Sequence, residues 1–252
     1  MEDIQQSELR FYLPLIAGYL GACLVTLLLL AFNKYEARQS DYRPAKPWLE
    51  LVLSLIVVVA IFIIGRAYTA GFLIPSELNP IAWMINNLII YSPIFIFLLL
   101  RKQPTETLWL SKQAILLKIF AGVLSSLVAV LIFTMLRGEA ERTFVVIRRA
   151  LTLEALSNFV AVFLEGVALA FLFIRLKWTT NLRVALLVPA VLFALGHLPG
   201  MLAEGDPWWH MVLMSTATGL VTIIVLYTCY QIKDILWIGI VHYLMDVAIS
   251  AF

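Results

Sequence analysis

Residues 158–175 read NFVAVFLEGVALAFLFIR, an apolar run of bilayer-spanning length that carries a single carboxylate, Glu165, near its middle. A charged side chain at the centre of a membrane-spanning helix is energetically costly on insertion scales, so such residues are typically functional. The span must supply the carboxylate with a partner, a proton or a water-filled cavity. Glu165 is therefore the first candidate functional residue, and the groups that meet it indicate the function.

The rest of the composition agrees with a membrane protein. The 252 residues are 62% hydrophobic and 13% charged, and the mean hydropathy is +0.95. These values predict an all-α polytopic membrane protein, a single membrane domain over residues 1–252 built as a bundle of about eight transmembrane helices. The predicted spans are about 11–32, 48–65, 80–100, 114–136, 151–174, 184–198, 208–230 and 235–250.

Charge is concentrated between the spans. The net charge of +2 comes from Lys and Arg in the loops, which favours lipid headgroups as the partner and predicts no nucleic-acid binding. The basic loops at 33–47 and 101–112 are expected to face the cytoplasm. The chain is expected to be an integral, multi-pass protein of the bacterial inner membrane or an equivalent membrane. Residues 137–150 carry four Arg on the other side, which predicts an amphipathic helix in the membrane plane.

Two spans carry local packing signals. Ala17 with Gly21, and Gly18 with Ala22, have the small-xxx-small spacing that lets a neighbouring helix approach closely. The sixth predicted span, 184–198, is short and contains Pro189, so we expect it to be kinked or partly re-entrant.

Further polar residues lie in the second half of the chain. Glu154, Asn158 and Glu165 share one face of the fifth span by helical periodicity, and we expect this polar stripe to point inward. His197 lies in the sixth predicted span. His242 and Asp246 lie one turn apart on the last. Because none of these ionisable groups can face lipid at low cost, we expect Glu165, His197, His242 and Asp246 to converge in one central polar cavity.

These residue types support more than one function. A buried glutamate can deprotonate a water, and histidine N–H groups can stabilise the oxyanion formed when that water adds to a carbonyl, which is peptide hydrolysis. Alternatively, His197 and His242 with Glu165 could bind Zn²⁺. The same buried groups could also form the proton or cation site of a non-enzymatic transporter or scaffold.

The order of the motifs resembles a known family. Phe193-Ala-Leu-Gly-His197 is similar to an FxxxH motif and His242-Tyr-Leu-Met-Asp246 to an HxxxN/D motif. Both are typical of the CAAX-protease and bacteriocin-processing family of intramembrane glutamic endopeptidases. Glu165 falls where the EExxxR motif of that family is expected. The resemblance covers about residues 155–250, the family-like catalytic core.

The resemblance implies an eight-helix bundle with a central cavity and a glutamate-activated water. Glu165 would be the general base, His197 and His242 the oxyanion-stabilising pair, and Asp246 the residue that orients His242 or the water. The substrate would be a membrane-anchored or lipidated protein or peptide cleaved near its C-terminal or anchoring segment. No cofactor is expected, with zinc as the alternative.

The first motif departs from the family pattern. Its second Glu is Gly166 here and its Arg is Ala170. Arg175 lies ten residues beyond Glu165, roughly 15 Å along the helix axis, and cannot replace that Arg. Asn158, on the same face as Glu165, is the candidate supporting residue.

Overall fold

The computed structural model describes residues 2–33, 42–76 and 79–251, with side chains from residue 11 onward. The described residues form helices and no strands. The helices are α1 Glu2–Phe32, α2 Pro47–Thr69, α3 Pro80–Leu100, α4 Ile115–Leu136, α5 Arg142–Ala150, α6 Leu153–Thr179, α7 Leu182–Glu204, α8 Trp208–Ile232 and α9 Leu236–Ile249. A single 3₁₀ turn, Thr105–Leu108, lies between α3 and α4.

The described helices confirm the all-α polytopic fold. Seven of them are long and apolar enough to cross a membrane: α1 from Phe11, α2, α3, α4, α6, α7 and α8. The eighth predicted span is present as α9, which has only 14 residues, fewer than the roughly 20 that a perpendicular span requires. The protein is therefore an integral, multi-pass membrane protein whose last helix packs against α4 and α6.

The sixth span differs from its prediction. Residues 182–204 form one continuous helix, α7, that runs through both Pro189 and Pro199, so the expectation of a short or re-entrant segment was wrong. Membrane helices tolerate internal proline because neighbouring groups satisfy the freed backbone carbonyls. The amphipathic segment after α4 is helical as α5, with Phe144 and Val145 exposed.

Helix α6 is the central element of the bundle. In the apolar window of α6, 61% of residues are buried, against 22–39% in the other six candidate spans. It contacts α2, α3, α7 and α9. A polar side chain in the middle of α6 is thereby surrounded by other helices on most sides, which places Glu165 within the bundle.

Small residues set the closest helix contacts. A Cβ at Gly18 would lie 3.0 Å from the backbone oxygen of Ala129, and one at Gly21 would clash with Ile132 Cδ1. The small-residue face predicted on α1 is therefore the face that packs against α4. Gly122 has the same role between α4 and α9, where an added Cβ would lie 3.0 Å from the Cα of Trp237.

We expect Gly122→Ala to destabilise the protein by about 1–3 kcal/mol, the usual cost of overpacking. The backbone of Trp237 and its carbonyl oxygen, 3.1 Å away, cannot move aside as a flexible side chain would. Thermal unfolding in detergent measures the effect. Gly65→Ala on α2 is the matched control, since nothing lies within 4 Å of its Cβ position. Equal stability of the two variants would contradict the close α4–α9 contact.

The end of the bundle where α3, α6 and α8 end and α4, α7 and α9 begin is here called the basic end. Its described basic residues include Arg101, Lys102, Lys112, Lys118, Arg175, Lys177, Arg183 and Lys233. Because cytoplasmic loops are enriched in Lys and Arg, the positive-inside rule predicts that this end faces the cytoplasm.

Two buried polar clusters stabilise the basic end. Lys118 on α4 pairs with Asp234 at 2.5 Å, and both side chains are 1% exposed. Gln103 donates a hydrogen bond to Glu50 at 2.7 Å and accepts one from the fully buried Arg175. Arg175 therefore belongs to a structural network at the basic end and is unavailable to Glu165, as the helical spacing predicted.

Candidate functional site

Three helices supply the candidate residues. Central helix α6 carries Glu165 about halfway along its length, α7 carries His197, and the short helix α9 carries His242 and Asp246. The site lies in the half of the bundle away from the basic end, since Asp246 is three residues from the end of α9.

Both histidines lie next to the same phenylalanine ring. The Phe193 ring centroid lies 4.8 Å from that of His197 and 6.4 Å from that of His242, with edge-on geometry in both cases. Phe193 and His197 are one helical turn apart on α7, so the FxxxH spacing itself produces the first contact. The second contact brings α9 to the same ring. Phe193 thus contacts both imidazoles.

The tautomer of His197 follows from its backbone contact. Its Nδ1 lies 2.8 Å from the carbonyl oxygen of Phe193. A carbonyl oxygen can only accept a hydrogen bond, so Nδ1 must carry the proton. When the ring is neutral, Nε2 is therefore unprotonated and acts as an acceptor. His197 can donate a hydrogen bond from Nε2 only when the imidazole is positively charged.

Asp246 links α9 to α6. Its carboxylate oxygen Oδ1 lies 3.5 Å from Nε2 of His242, one turn away on the same helix, and the Asn158 side chain of α6 lies close enough to interact with that carboxylate. Asn158, the candidate supporting residue for Glu165, is thus also a neighbour of Asp246. It therefore reaches the site through the Asp246–His242 pair.

Glu165 lies within electrostatic range of His242, Asp246 and His197. The structure therefore brings together the four residues predicted to converge. Each is only partly buried, and the side chains of His242 and Asp246 remain 23% and 32% exposed. Partial exposure of charged groups in the interior of a membrane bundle is the arrangement that admits water to them.

Two tyrosines complete the site and were not predicted from the sequence. Tyr19 on α1 is buried, lies within electrostatic range of Glu165 and Asp246, and has its ring centroid 6.4 Å from that of His242. Tyr91 on α3 lies within electrostatic range of Glu165. Their position in the middle of apolar spans could have identified them as site candidates, because a buried phenol needs a polar partner.

One predicted member of the polar stripe is outside the site. Glu154, the second residue of α6, is exposed at the end of the bundle. Helical periodicity places it in line with Glu165, but the neighbouring helices do not cover α6 at that level. The expectation that it points inward with Asn158 and Glu165 was wrong.

The zinc alternative depends on how closely the donor atoms approach one another. In the parts of the chain that the structure describes, no group of three or more His, Cys, Asp or Glu side chains is arranged to hold a metal ion. Glu165, His197 and His242 are thus neighbours without forming a metal-ligand cluster in this arrangement.

The two positions that depart from the family pattern have different surroundings. Nothing lies within 4 Å of the Cβ position of Gly166, whereas Ala170 is fully buried. A Glu–Arg pair introduced at these two positions would therefore have room at residue 166 and none at residue 170. Gly166 is not a site of close helix packing.

We expect Gly166→Glu to fold normally, and the double variant with Ala170→Arg to lose its monodisperse state. The added arginine would overpack the α6 core, which by itself costs about 1–3 kcal/mol. Size-exclusion profiles in detergent measure this. A monodisperse, active double variant would show that the core at Ala170 can open.

Comparisons with known proteins identify no relative. No protein-family model, curated protein or solved structure matches the chain. The assignment of function therefore depends on the site itself and on the motif resemblance.

Proposed function

We propose that the protein is an intramembrane endopeptidase in which Glu165 activates water to cleave a peptide bond. The observation that supports this most directly is the convergence of Glu165, His197 and His242 from three separate helices. A carboxylate with two neighbouring imidazoles, partly open to water, contains a general base and two potential oxyanion donors.

The proposed reaction proceeds in two proton transfers. Glu165 accepts a proton from water as the water oxygen bonds to the substrate carbonyl carbon, which leaves a tetrahedral oxyanion. The C–N bond then breaks, and the proton held by Glu165 passes to the leaving amine nitrogen. The products are an amine and a carboxylic acid, which then releases its proton to water to become a carboxylate, and Glu165 is regenerated.

The histidines act on the oxyanion in this proposal. Nδ1 of His197 donates a hydrogen bond to the Phe193 carbonyl. His197 can therefore stabilise the oxyanion through Nε2–H only as a charged imidazolium. His242, whose Nε2 lies 3.5 Å from Oδ1 of Asp246, is the second proposed oxyanion donor. Tyr19 adds a phenol beside the same groups.

The substrate class follows from the location of the site. All four proposed catalytic residues lie on helices of the membrane bundle, α6, α7 and α9. A scissile bond can reach them only if its chain is held at the membrane, so we propose a membrane-anchored or lipidated protein or peptide. Cleavage would fall near the anchoring segment.

The experiment that tests the proposal uses purified protein in detergent with a set of membrane-anchored peptides. Mass spectrometry identifies any peptide bond that is cut, with Glu165→Gln as the control. The transporter alternative predicts no cleavage, and instead proton or cation flux across proteoliposomes that is lost in the same variant. Flux without cleavage would therefore replace the peptidase proposal.

The role of metal is tested in the same assay. We expect chelators to leave cleavage unchanged, because Glu165 used as a zinc ligand would leave no evident base. The unprotonated Nε2 of neutral His197 is the atom that would bind zinc. Elemental analysis that finds one zinc per chain, with activity lost on its removal, would assign the zinc mechanism.

A further inference from the structure

A second polar site lies at the basic end, far from Glu165 along the axis of α6. A cavity of about 90 Å³ lies between the end of α6, the end of α8 and the 3₁₀ turn Thr105–Leu108. That volume is several times the roughly 10–15 Å³ that one water molecule requires. It can therefore hold a small polyatomic group.

Two lysines line this cavity together. Lys177, in the last turn of α6, and Lys233, the residue after α8, both contribute to its wall. Lys233 has a φ of +53°, a left-handed backbone conformation that is unfavourable for a side chain with a Cβ. Its Nζ lies 3.4 Å from the centroid of the Tyr230 ring. The chain thus holds this ammonium group at the cavity in spite of backbone strain.

The charges around Lys233 favour an anion. Burial, followed by the nearby charge of Lys177, lowers the pKa of Lys233 to about 8. Glu106 also lines the cavity, so the described lining residues carry two positive charges and one negative charge. Two like charges held together and partly desolvated repel each other, and a bound anion relieves that repulsion.

The remaining wall is aromatic. Trp109, Trp178, Tyr230 and Phe173 enclose the space, and Trp178 lies between the cavity and the buried Arg175, whose Cζ is 5.2 Å from the Trp178 ring. Tryptophan and tyrosine are typical of the level of the lipid headgroups. Basic pockets between transmembrane helices on the cytoplasmic side are suited to anionic headgroups.

We propose that this basic-end cavity binds a phosphate group, carried either by an anionic lipid headgroup or by free inorganic phosphate. Lys177 and Lys233 provide the charged donors, and the aromatic wall shields them from water. The site is independent of the peptidase proposal, because none of its residues contacts Glu165, His197, His242 or Asp246 among the contacts described above.

The test is thermal unfolding and native mass spectrometry of the full chain in neutral detergent. The additions are phosphatidylglycerol, phosphatidylcholine or inorganic phosphate. We expect a saturating rise of several degrees in the unfolding midpoint with phosphatidylglycerol or with phosphate, and none with phosphatidylcholine. If phosphate raises the unfolding midpoint and phosphatidylglycerol does not, the bound group is soluble phosphate. If phosphatidylglycerol raises the midpoint and phosphate does not, the bound group is a lipid headgroup. Protection by neither overturns the proposal.

Paired variants separate the cavity from general surface charge. The double variant Lys177→Gln/Lys233→Gln should weaken binding about 30-fold, from the usual contribution of two basic residues. The control Lys102→Gln/Lys112→Gln changes the same net charge at exposed positions of the same end and should bind normally. An equal loss of binding in the two double variants would overturn the proposal. If the first double variant does not fold, the single variants Lys177→Gln and Lys233→Gln replace it, and each should weaken binding about 5-fold. Unchanged binding in both single variants would overturn the proposal.

Discussion

Glu165→Gln is expected to reduce peptide cleavage by about 10²–10⁴-fold, the typical contribution of general acid–base catalysis. The amide keeps the size and hydrogen-bonding capacity of the side chain but cannot accept the proton from water. Substrate binding should remain, so the loss should appear in kcat and not in KM. Steady-state cleavage of the identified peptide measures both constants.

Glu154→Gln is the matched control for this variant. It makes the same chemical change on the same helix, at a position that is exposed and outside the site, and it should cleave at the wild-type rate. Retention of activity in Glu165→Gln would contradict the role of Glu165 as base. Loss of cleavage in both variants would indicate a general effect of removing a charge from α6.

Lys118→Met is expected to destabilise the protein by about 3–5 kcal/mol, the cost of leaving one partner of a buried ion pair uncompensated. Lys118 also donates a hydrogen bond to the Ser111 carbonyl at 2.9 Å. In the variant Asp234 would lose its ion-pair partner. Asp234 is 1% exposed and accepts a hydrogen bond from the backbone N–H of Leu236, at the start of α9. Chemical or thermal unfolding in detergent measures the loss.

The pH dependence of that variant follows from Asp234. Burial raises the pKa of Asp234, and the hydrogen bond and charge of Lys118 oppose that rise. Removal of Lys118 should raise the folded-state pKa further above its unfolded value, so the folded variant binds a proton more readily than the unfolded chain. Its stability therefore falls as pH rises. The loss of stability in Lys118→Met relative to the wild type should be larger at pH 8 than at pH 5.

A double variant gives the control. Lys118→Met with Asp234→Asn removes both charges and keeps an oxygen that can accept from Leu236, so it should recover most of the lost stability. A single variant as stable as the wild type at pH 8 would show that the pair contributes little. This pair matters to the site, because it fixes the start of α9, the helix that carries His242 and Asp246.

Much of the fold could be predicted because the bilayer imposes simple rules on composition. Apolar runs of about 20 residues predicted six of the seven long helices, and the small residues of α1 predicted a close helix contact. The rules failed at α7, where a short run containing Pro189 predicted a kinked or partly re-entrant span, although a proline inside a long membrane helix can be accommodated. The last predicted span, about 235–250, is present as α9, whose 14 residues pack beside α4 and α6.

The site was predictable where an ionisable residue lies in an apolar span, as for Glu165, His197, His242 and Asp246. It was not predictable where the contact depends on which helices become neighbours. Asn158 meets Asp246 across two helices, and Tyr19 and Tyr91 reach Glu165 from α1 and α3. Helical spacing within one segment contains no information about such partners, which explains the wrong expectation for Glu154.

Cleavage in ¹⁸O-labelled water is the sharpest test of whether Glu165 directs a water molecule onto a peptide carbonyl. Wild-type protein and Glu165→Gln are incubated in parallel with the same membrane-anchored peptide, and the new C-terminus is weighed by mass spectrometry. We expect the wild type to place one ¹⁸O atom in the new carboxylate, and Glu165→Gln to form no product above background. Labelled product formed equally by both proteins would contradict it.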